Sequence, residues 1–285
     1  MVASAFDYVA AGSYDEAVRL LAAGGDDAKI LAGGQSLMPM LNLRLAHPEL
    51  LIDINPADQR PPTLALHNSG KMLRLPALTR HRVLLEHEMV REHCPLLADA
   101  IRYVGNVRVR NRGTIAGSLA HADPTSEIGC CALATGARIL ARGPDGERTV
   151  PASDLFAGYW STTLDPDQII TDVLIPAARP RQGWSFQEMV RRTSDFAIVA
   201  VAVIFNLAER SGAPASATVA LAGVADRVVL ADSELVDDDP EQTAARIADT
   251  LDPPDDVHAS GAYRRRLVRV LTARALREAS ARAAL

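Results

Sequence analysis

Apolar and polar residues follow helical and strand-like spacing in turn along the first third of the chain. Helical spacing covers residues 14–23, with Ser13 as the predicted N-cap and Gly24-Gly25 at the end. Short apolar runs at residues 28–32 and 50–54 predict strands. Because strands that alternate with helices usually pair in parallel, this part of the chain is predicted to be α/β.

Further elements are predicted along the rest of the chain, separated by turn-forming residues. The predicted turns are Pro61-Pro62 and residues 68–70 and 143–146. The predicted strands are residues 72–75, 137–140, 196–207 and 217–224, and the predicted helices are residues 81–90, 96–104 and 260–285. The last helix has apolar positions at Leu267, Val270, Leu271 and Leu276. Residues 179–183 are typical of a linker, so we expect a domain boundary near residue 178.

Composition and charge exclude several classes of protein. The 285 residues are 48% hydrophobic and 23% charged, as in an ordinary globular protein. A net charge of -5 offers no basic surface for nucleic acid. The N-terminus has no signal-peptide pattern, and no apolar run approaches the roughly 20 residues that span a bilayer. We therefore expect no membrane span and a cytoplasmic location.

The three cysteines are Cys94, Cys130 and Cys131. Their odd number and irregular spacing argue against a disulfide framework. Because the sequence has no C-x-x-C motif, it predicts no metal site and no iron–sulfur cluster held by this chain alone. The adjacent pair is interpreted as packing residues. Redox chemistry would therefore require a redox centre from outside the polypeptide.

Two glycine-bearing segments carry the candidate chemistry. The first glycine segment is Ala32-Gly33-Gly34-Gln35-Ser36, which follows a predicted strand. Its glycines would allow close backbone approach, its amides could bind phosphate, and Ser36 could cap the next helix. The sequence matches neither the Rossmann nor the P-loop motif. A plain tight turn is the alternative interpretation of this segment.

The second glycine segment, Thr114-Ile115-Ala116-Gly117-Ser118, lies in a stretch that is rich in short polar side chains. Three arginines at alternate positions precede it, typical of a solvated edge or an anion patch, and His121 and Asp123 follow it. Such a cluster suits a ligand with both phosphates and hydroxyls. Asp123 could accept from a ribose or ribityl hydroxyl, or cap a helix through Pro124. His121 could act in acid–base chemistry or form a hydrogen bond within the loop, and it has no partner at metal-ligand spacing.

The sequence resembles the medium, FAD-binding subunit of molybdenum hydroxylases of the carbon monoxide dehydrogenase and xanthine dehydrogenase type. The resemblance covers nearly the whole chain. The matching motifs are residues 31–39, 51–54, 77–81, 110–124, 156–164, 191–197 and 258–266.

The resemblance implies an α+β protein with two domains. Residues 1–178 would form a two-lobed FAD-binding domain of the PCMH type, and residues 179–285 a small C-terminal domain with a short sheet and a helical bundle. The first segment would wrap the pyrophosphate, the second would meet the phosphates and the ribityl chain, Asp123 would contact the cofactor, and Ile54 would lie by the adenine. The implied FAD contacts are Ala32, Gly33, Gly34, Gln35, Ser36, Leu37, Ile54, Thr114, Ala116, Gly117, Ser118 and Asp123.

The resemblance also implies partner chains. A small subunit with two [2Fe-2S] clusters and a large molybdopterin subunit would supply electrons, which FAD would pass to oxygen, NAD or a quinone. No catalytic side chain is predicted, because the chemistry would belong to the cofactor. Two other hypotheses stay open: a stand-alone FAD oxidase or dehydrogenase that acts directly on a small molecule, and a non-catalytic nucleotide-binding or assembly protein.

Three positions depart from the family pattern. Ala116 replaces a common glycine, which is a mild change where φ is negative and a strained one where it is positive. Leu75-Pro76 replaces Ile-Gly, so we expect a different strand edge there. Glu188 lies where a number of relatives carry lysine near the flavin. A carboxylate at that position would disfavour an anionic reduced flavin.

Overall fold

The computed structural model describes residues 3–58, 63–207, 215–237 and 239–285. The predicted turn at Pro61-Pro62 lies outside the described residues. The N-terminal lobe consists, in chain order, of β1 (Asp7–Ala10), α1 (Tyr14–Gly24), β2 (Ala28–Leu31), α2 (Leu37–Asn42) and β3 (Leu50–Asp53).

The N-terminal lobe is α/β with parallel pairing, as the sequence predicts. β3 lies between β1 and β2 and runs parallel to both, so that Ala10 and Leu31 lie opposite Asp53 where the strands end. The predicted cap of α1 is confirmed, since Ser13 Oγ accepts a hydrogen bond from the Glu16 amide at 3.1 Å. The sequence analysis missed β1, because this strand is mostly exposed and lacks an apolar pattern.

The second lobe is built on a five-stranded antiparallel sheet within the described residues, with the strand order β4-β5-β10-β6-β7. Its elements are β4 (Ala65–His67), β5 (Met72–Pro76), α3 (His81–Glu86), α4 (Glu88–His93), α5 (Pro95–Ala100), α6 (Val107–Arg112), α7 (Ile115–His121), α8 (Glu127–Thr135), β6 (Arg138–Gly143), β7 (Gly146–Pro151), α9 (Ala152–Leu155), β8 (Phe156–Gly158), β9 (Ser161–Thr162) and β10 (Ile169–Pro176).

One helix predicted in this lobe is divided into two helices, α3 and α4. The helical pattern of residues 81–90 is interrupted at His87, whose backbone is extended and whose Nδ1 accepts a hydrogen bond from the Met89 amide at 3.3 Å. His87 thus ends α3 and caps α4, a local alternative to helix continuation that apolar spacing does not reveal.

The C-terminal part is an antiparallel sheet that is covered on one face by two helices. Its elements are β11 (Gln182–Val190), β12 (Ala197–Asn206), β13 (Ser216–Ala222), β14 (Val229–Leu230), α10 (Pro240–Asp249) and α11 (Gly261–Ala283). Ser260 caps α11 as the predicted helix requires, through a hydrogen bond from the Tyr263 amide to its Oγ. Of the apolar positions named in the last helix, Val270 is 48% exposed, while Leu271 is buried.

Both faces of β12 are buried, which joins the C-terminal sheet to the second lobe. Ala200 and Ala202 belong to one core with Cys130 and Cys131 of α8. The alternate residues, such as Val201, pack with α11. The cysteines are therefore packing residues, as predicted, and all three are buried free thiols. Small alanine side chains let the sheet approach α8 closely.

Candidate functional site

The main cavity has a volume of about 590 Å³ and lies where β2 and β3 end, between α7 and a loop of the C-terminal sheet. The twelve residues that the sequence analysis selected all line it: Ala32, Gly33, Gly34, Gln35, Ser36, Leu37, Ile54, Thr114, Ala116, Gly117, Ser118 and Asp123. The fold thus brings the two glycine segments together, although about 80 residues separate them. Whether each residue contacts a cofactor stays a prediction.

The first glycine segment provides free backbone donors. Gly34 has φ +72°, and a Cβ on Gly33 would lie 2.4 Å from the Arg112 carbonyl oxygen. In the described part of the chain, the amides of residues 34–37 donate to no protein acceptor. Ser36 makes no capping hydrogen bond to α2, so its predicted capping role is wrong: its backbone is already helical, with φ -99° and ψ -49°. Consecutive free amides form a suitable cradle for an anionic group.

The second glycine segment is the start of α7 and not a loop. Thr114 is the N-cap, and its Oγ1 accepts a hydrogen bond from the Gly117 amide at 3.1 Å. The amides of Ile115 and Ala116 donate to the carbonyl oxygens of Thr79 and Ala77. These donors are therefore engaged within the protein, and the second segment offers side chains to a ligand where the first offers amides.

A polar strap, formed by Asn55 and Arg80, joins the first glycine segment to the residues that precede the second. Asn55 Nδ2 donates to the Ala32 carbonyl oxygen at 2.9 Å, and its Oδ1 accepts from Arg80 Nη2 at 2.5 Å. Arg80 Nη1 also donates to the Arg112 carbonyl oxygen at 2.5 Å. Sequence analysis missed this strap, because no local pattern relates three such distant positions.

Ser118, His121 and Asp123 form a polar wall of the cavity. Asp123 Oδ1 accepts from the amide and the hydroxyl of Thr125 at 2.8 and 2.6 Å, so Asp123 stabilises a turn. The alternative that Asp123 caps the next helix is wrong, since Ser126 is the N-cap of α8. His121 Nε2 lies 3.9 Å from Asp123 Oδ2, and burial lowers the pKa of the imidazole.

Two departures from the family pattern cause little strain. Ala116 lies inside α7 and is not among the residues with positive φ, so the change from glycine is mild. Pro76 is the last residue of β5, paired with Asp172, and its carbonyl oxygen accepts from the amide of Thr79 at 3.0 Å. A proline at the end of a strand is tolerated, because its missing N–H interrupts little of the ladder.

Of the three alternate arginines, Arg110 does not share a helix face with Arg108 and Arg112. They lie on α6, where alternate residues point about 200° apart around the helix. Arg110 instead donates to the carbonyl oxygens of Val104 and Gly105, each at 3.0 Å. This arginine therefore closes the preceding turn of the protein.

His81 is a buried cavity residue that sequence analysis did not single out. It is 4% exposed, and neither ring nitrogen has a hydrogen-bond partner in the described structure. Burial lowers the pKa of the imidazole to about 4, and the charges of Arg110 and Arg80 act in the same direction. His81 is thus neutral at physiological pH and packs beneath Gly113.

Glu127 and Glu188 are two interacting carboxyl groups with raised pKa values. Burial raises the pKa of Glu127, which lines the cavity, to about 7, and the charge of Asp123 contributes. Burial raises the pKa of Glu188 to about 8, with a contribution from Glu127. Because this pKa is raised, the protonated form of Glu188 is favoured over the carboxylate that was expected at this position.

The cavity has the chemistry that a dinucleotide with a flat ring system requires. Free amides of the first segment suit a pyrophosphate, and the polar wall suits hydroxyl groups. Apolar side chains of Ile54, Leu78 and Ile169 line the same space. Phe196, which directly precedes β12, is 73% exposed and also lines the cavity. The fold and site define a two-domain flavin-binding protein.

Comparison with known proteins identifies the family. Residues 4–178 match the FAD binding domain in molybdopterin dehydrogenase, and residues 184–279 match the CO dehydrogenase flavoprotein C-terminal domain. The chain therefore belongs to the family of FAD-binding medium subunits of molybdenum hydroxylases. It is an oxidoreductase chain whose cofactor is FAD, as predicted.

Individual relatives match over almost their full length. The chain is 38% identical to the 6-hydroxypseudooxynicotine dehydrogenase complex subunit alpha of Paenarthrobacter nicotinovorans, over 98% of this chain and 95% of that protein. It is 35% identical to the nicotine 6-hydroxylase medium subunit of the same organism, over 98% of each. A chain of carbon monoxide dehydrogenase from Hydrogenophaga pseudoflava superposes with a TM-score of 0.92, at 33% identity and 99% coverage of both chains.

The predicted α+β fold of two domains is confirmed by these matches. Among the residues that the structure describes, no helix combines the length and the apolar character needed to cross a bilayer.

Proposed function

We propose that the chain is the electron-transfer subunit of a molybdenum hydroxylase. It receives electrons from [2Fe-2S] clusters on a small partner subunit, which a large molybdopterin subunit reduces, and passes them to an external acceptor. The observation that carries the proposal is the cavity between the two domains, with its free amides, in a chain whose relatives are named as subunits or medium chains.

The residues of this chain bind and orient the cofactor. FAD supplies the redox chemistry when bound. The amides of residues 34–37 would hold the pyrophosphate, the Ser118 hydroxyl would donate to or accept from hydroxyl groups, and Asp123 would accept from them. The remaining residues of the predicted set of twelve would enclose the cofactor. We assign these roles to a FAD-binding domain of residues 1–178 and a C-terminal domain of residues 179–285.

Co-expression with the neighbouring genes tests this function. We expect a complex of three chains whose spectrum shows FAD and iron–sulfur absorbance, and whose reduced clusters pass electrons to a dye acceptor. The same complex with Gly33→Ala should assemble, retain its clusters and fail to reduce the dye, because the first segment no longer holds FAD. Gly12→Ala is the matched control.

Two other outcomes would contradict the proposal. Recovery of a lone flavoprotein that oxidises a small molecule directly, despite the presence of the partner genes, would favour the stand-alone oxidase or dehydrogenase. A purified chain with no yellow colour and no bleaching by dithionite would favour a non-catalytic nucleotide-binding or assembly role.

A further inference from the structure

The side chain of Glu188 has no partner for its carboxyl group. Both carboxyl oxygens are buried and neither accepts nor donates a hydrogen bond in the described structure. Burying an ionised carboxylate without a partner is strongly unfavourable, whereas a neutral acid is tolerated.

The direction of Glu188 follows from its position on β11. Ser185 and Gln187 donate to Glu278 of α11 at 2.7 Å, so these odd-numbered positions face α11. Side chains alternate along a strand, so Glu188 lies on the face that packs against α5 and α8. Its neighbour across the strand pair is Ala200, which offers no polar group.

Among the described residues, the charged groups around Glu188 provide no free cation on this face. Glu127 and Cys130 of α8 lie close enough to interact with it, and neither is basic. Asp99 of α5 is held by Trp184 Nε1 at 2.9 Å and by Arg282 Nη1 at 3.2 Å. Arg191 and Arg192, beyond the end of the strand, are exposed. Glu127 is thus the ionisable neighbour that connects Glu188 to the cavity.

We propose that Glu188 and Glu127 form an acid pair that takes up and releases a proton as the charge in the cofactor cavity changes. When the bound cofactor gains a negative charge on reduction, one proton from solvent is taken up by the pair, and the same proton leaves on reoxidation. No bond to the cofactor is made or broken by either glutamate. A lysine at position 188 would place a fixed positive charge there, whereas Glu188 holds a proton that can exchange. The inference rests on the proposed FAD function.

The pH dependence of the reduction potential of bound FAD tests the pair. One additional proton per reduction changes the reduction equilibrium constant by up to about tenfold per pH unit. We expect this additional slope in the native protein above about pH 7, where carboxyl groups of the pair are ionised before reduction and can take up a proton. Glu188→Gln should lose it, and Glu188→Lys should lose it while raising the potential at all pH values. The exposed Glu88→Gln serves as the control.

Unfolding by urea provides a measurement that needs no cofactor. An acid with a raised native pKa binds its proton more tightly when folded, so the native protein loses stability as pH rises from about 4.5 to about 8. Glu188→Gln should therefore have a higher urea midpoint than the native protein at pH 9 and the same midpoint at pH 5.

The outcomes separate the two proposals. Equal urea midpoints at pH 9, or an unchanged pH slope of the potential in Glu188→Gln with FAD bound, would overturn the acid pair. Failure of every variant, the native protein included, to bind FAD would instead overturn the proposed function.

Discussion

Replacing Arg80 with glutamine tests whether the polar strap positions the two glycine segments. Arg80 donates to Asn55 Oδ1 and to the Arg112 carbonyl oxygen, and both hydrogen bonds would be lost. A hydrogen bond from a charged donor contributes about 1.5–3 kcal/mol. Because Arg80 is only partly buried, solvent screens both hydrogen bonds, and we take their combined contribution as about 2 kcal/mol. If the whole of this free energy is lost from FAD binding, the Kd for FAD rises roughly 30-fold.

The assay is quenching of FAD fluorescence on titration with the apo chain. Arg82→Gln is the matched control, since Arg82 forms an exposed ion pair with Glu86 on the same helix, at 3.1 Å. Such pairs contribute about 0.3–0.5 kcal/mol, so its Kd should stay within about threefold of the native value. Arg80→Lys keeps the charge but lacks the planar fork that reaches two acceptors, and should give an intermediate Kd. Equal Kd values for Arg80→Gln and Arg82→Gln would refute the positioning role.

Three further predictions follow from single contacts. Gly33→Ala places a Cβ 2.4 Å from the Arg112 carbonyl oxygen, so we expect the free energy of unfolding to fall by about 1–3 kcal/mol. We also expect this variant to lose bound FAD, which the spectrum of the purified chain would show, whereas Gly12→Ala should stay yellow. Thr114→Val removes the cap of α7 and should lower the free energy of unfolding in urea by about 1 kcal/mol, while Thr114→Ser should not. His81, whose native pKa is about 4, binds its proton more readily in the unfolded chain, so stability falls as pH drops from about 6.5 to about 4. In urea titrations at pH 7 and pH 4.5, His81→Phe should remove up to about 3 kcal/mol of the loss in the free energy of unfolding. An equally large loss in His81→Phe would contradict the lowered pKa of His81.

The sequence was sufficient where local chemistry determines the structure. Ser13 was identified as a cap because a hydroxyl before an apolar periodic run has one favourable local partner. Burial of the cysteines followed from their apolar neighbours in the same way. The twelve selected residues line one cavity, as expected when the motifs follow the order of a family whose fold brings them together.

The sequence was insufficient where partners lie far apart along the chain. The strap joins Asn55, Arg80 and the carbonyl oxygen of Arg112, and only the folded backbone reveals that these groups meet. Glu188 was expected to carry a charge because its burial was unknown. The second segment was predicted as a loop because glycine and short polar residues favour turns, while its amides find acceptors in residues 77 and 79 that only tertiary structure supplies.

Glycine is therefore required for different physical reasons at the glycine positions of the two segments. Gly34 needs its positive φ of +72°, which other residues rarely adopt. Gly33 needs space, because the Arg112 carbonyl oxygen occupies the position of a Cβ. Gly117 lies in a helix, where glycine costs about 1 kcal/mol relative to alanine, yet a Cβ there would lie 2.7 Å from Thr114 Oγ1. Gly117 thus protects the cap of α7, and on the proposed function the free amides of the first segment would be the backbone donors to the phosphates.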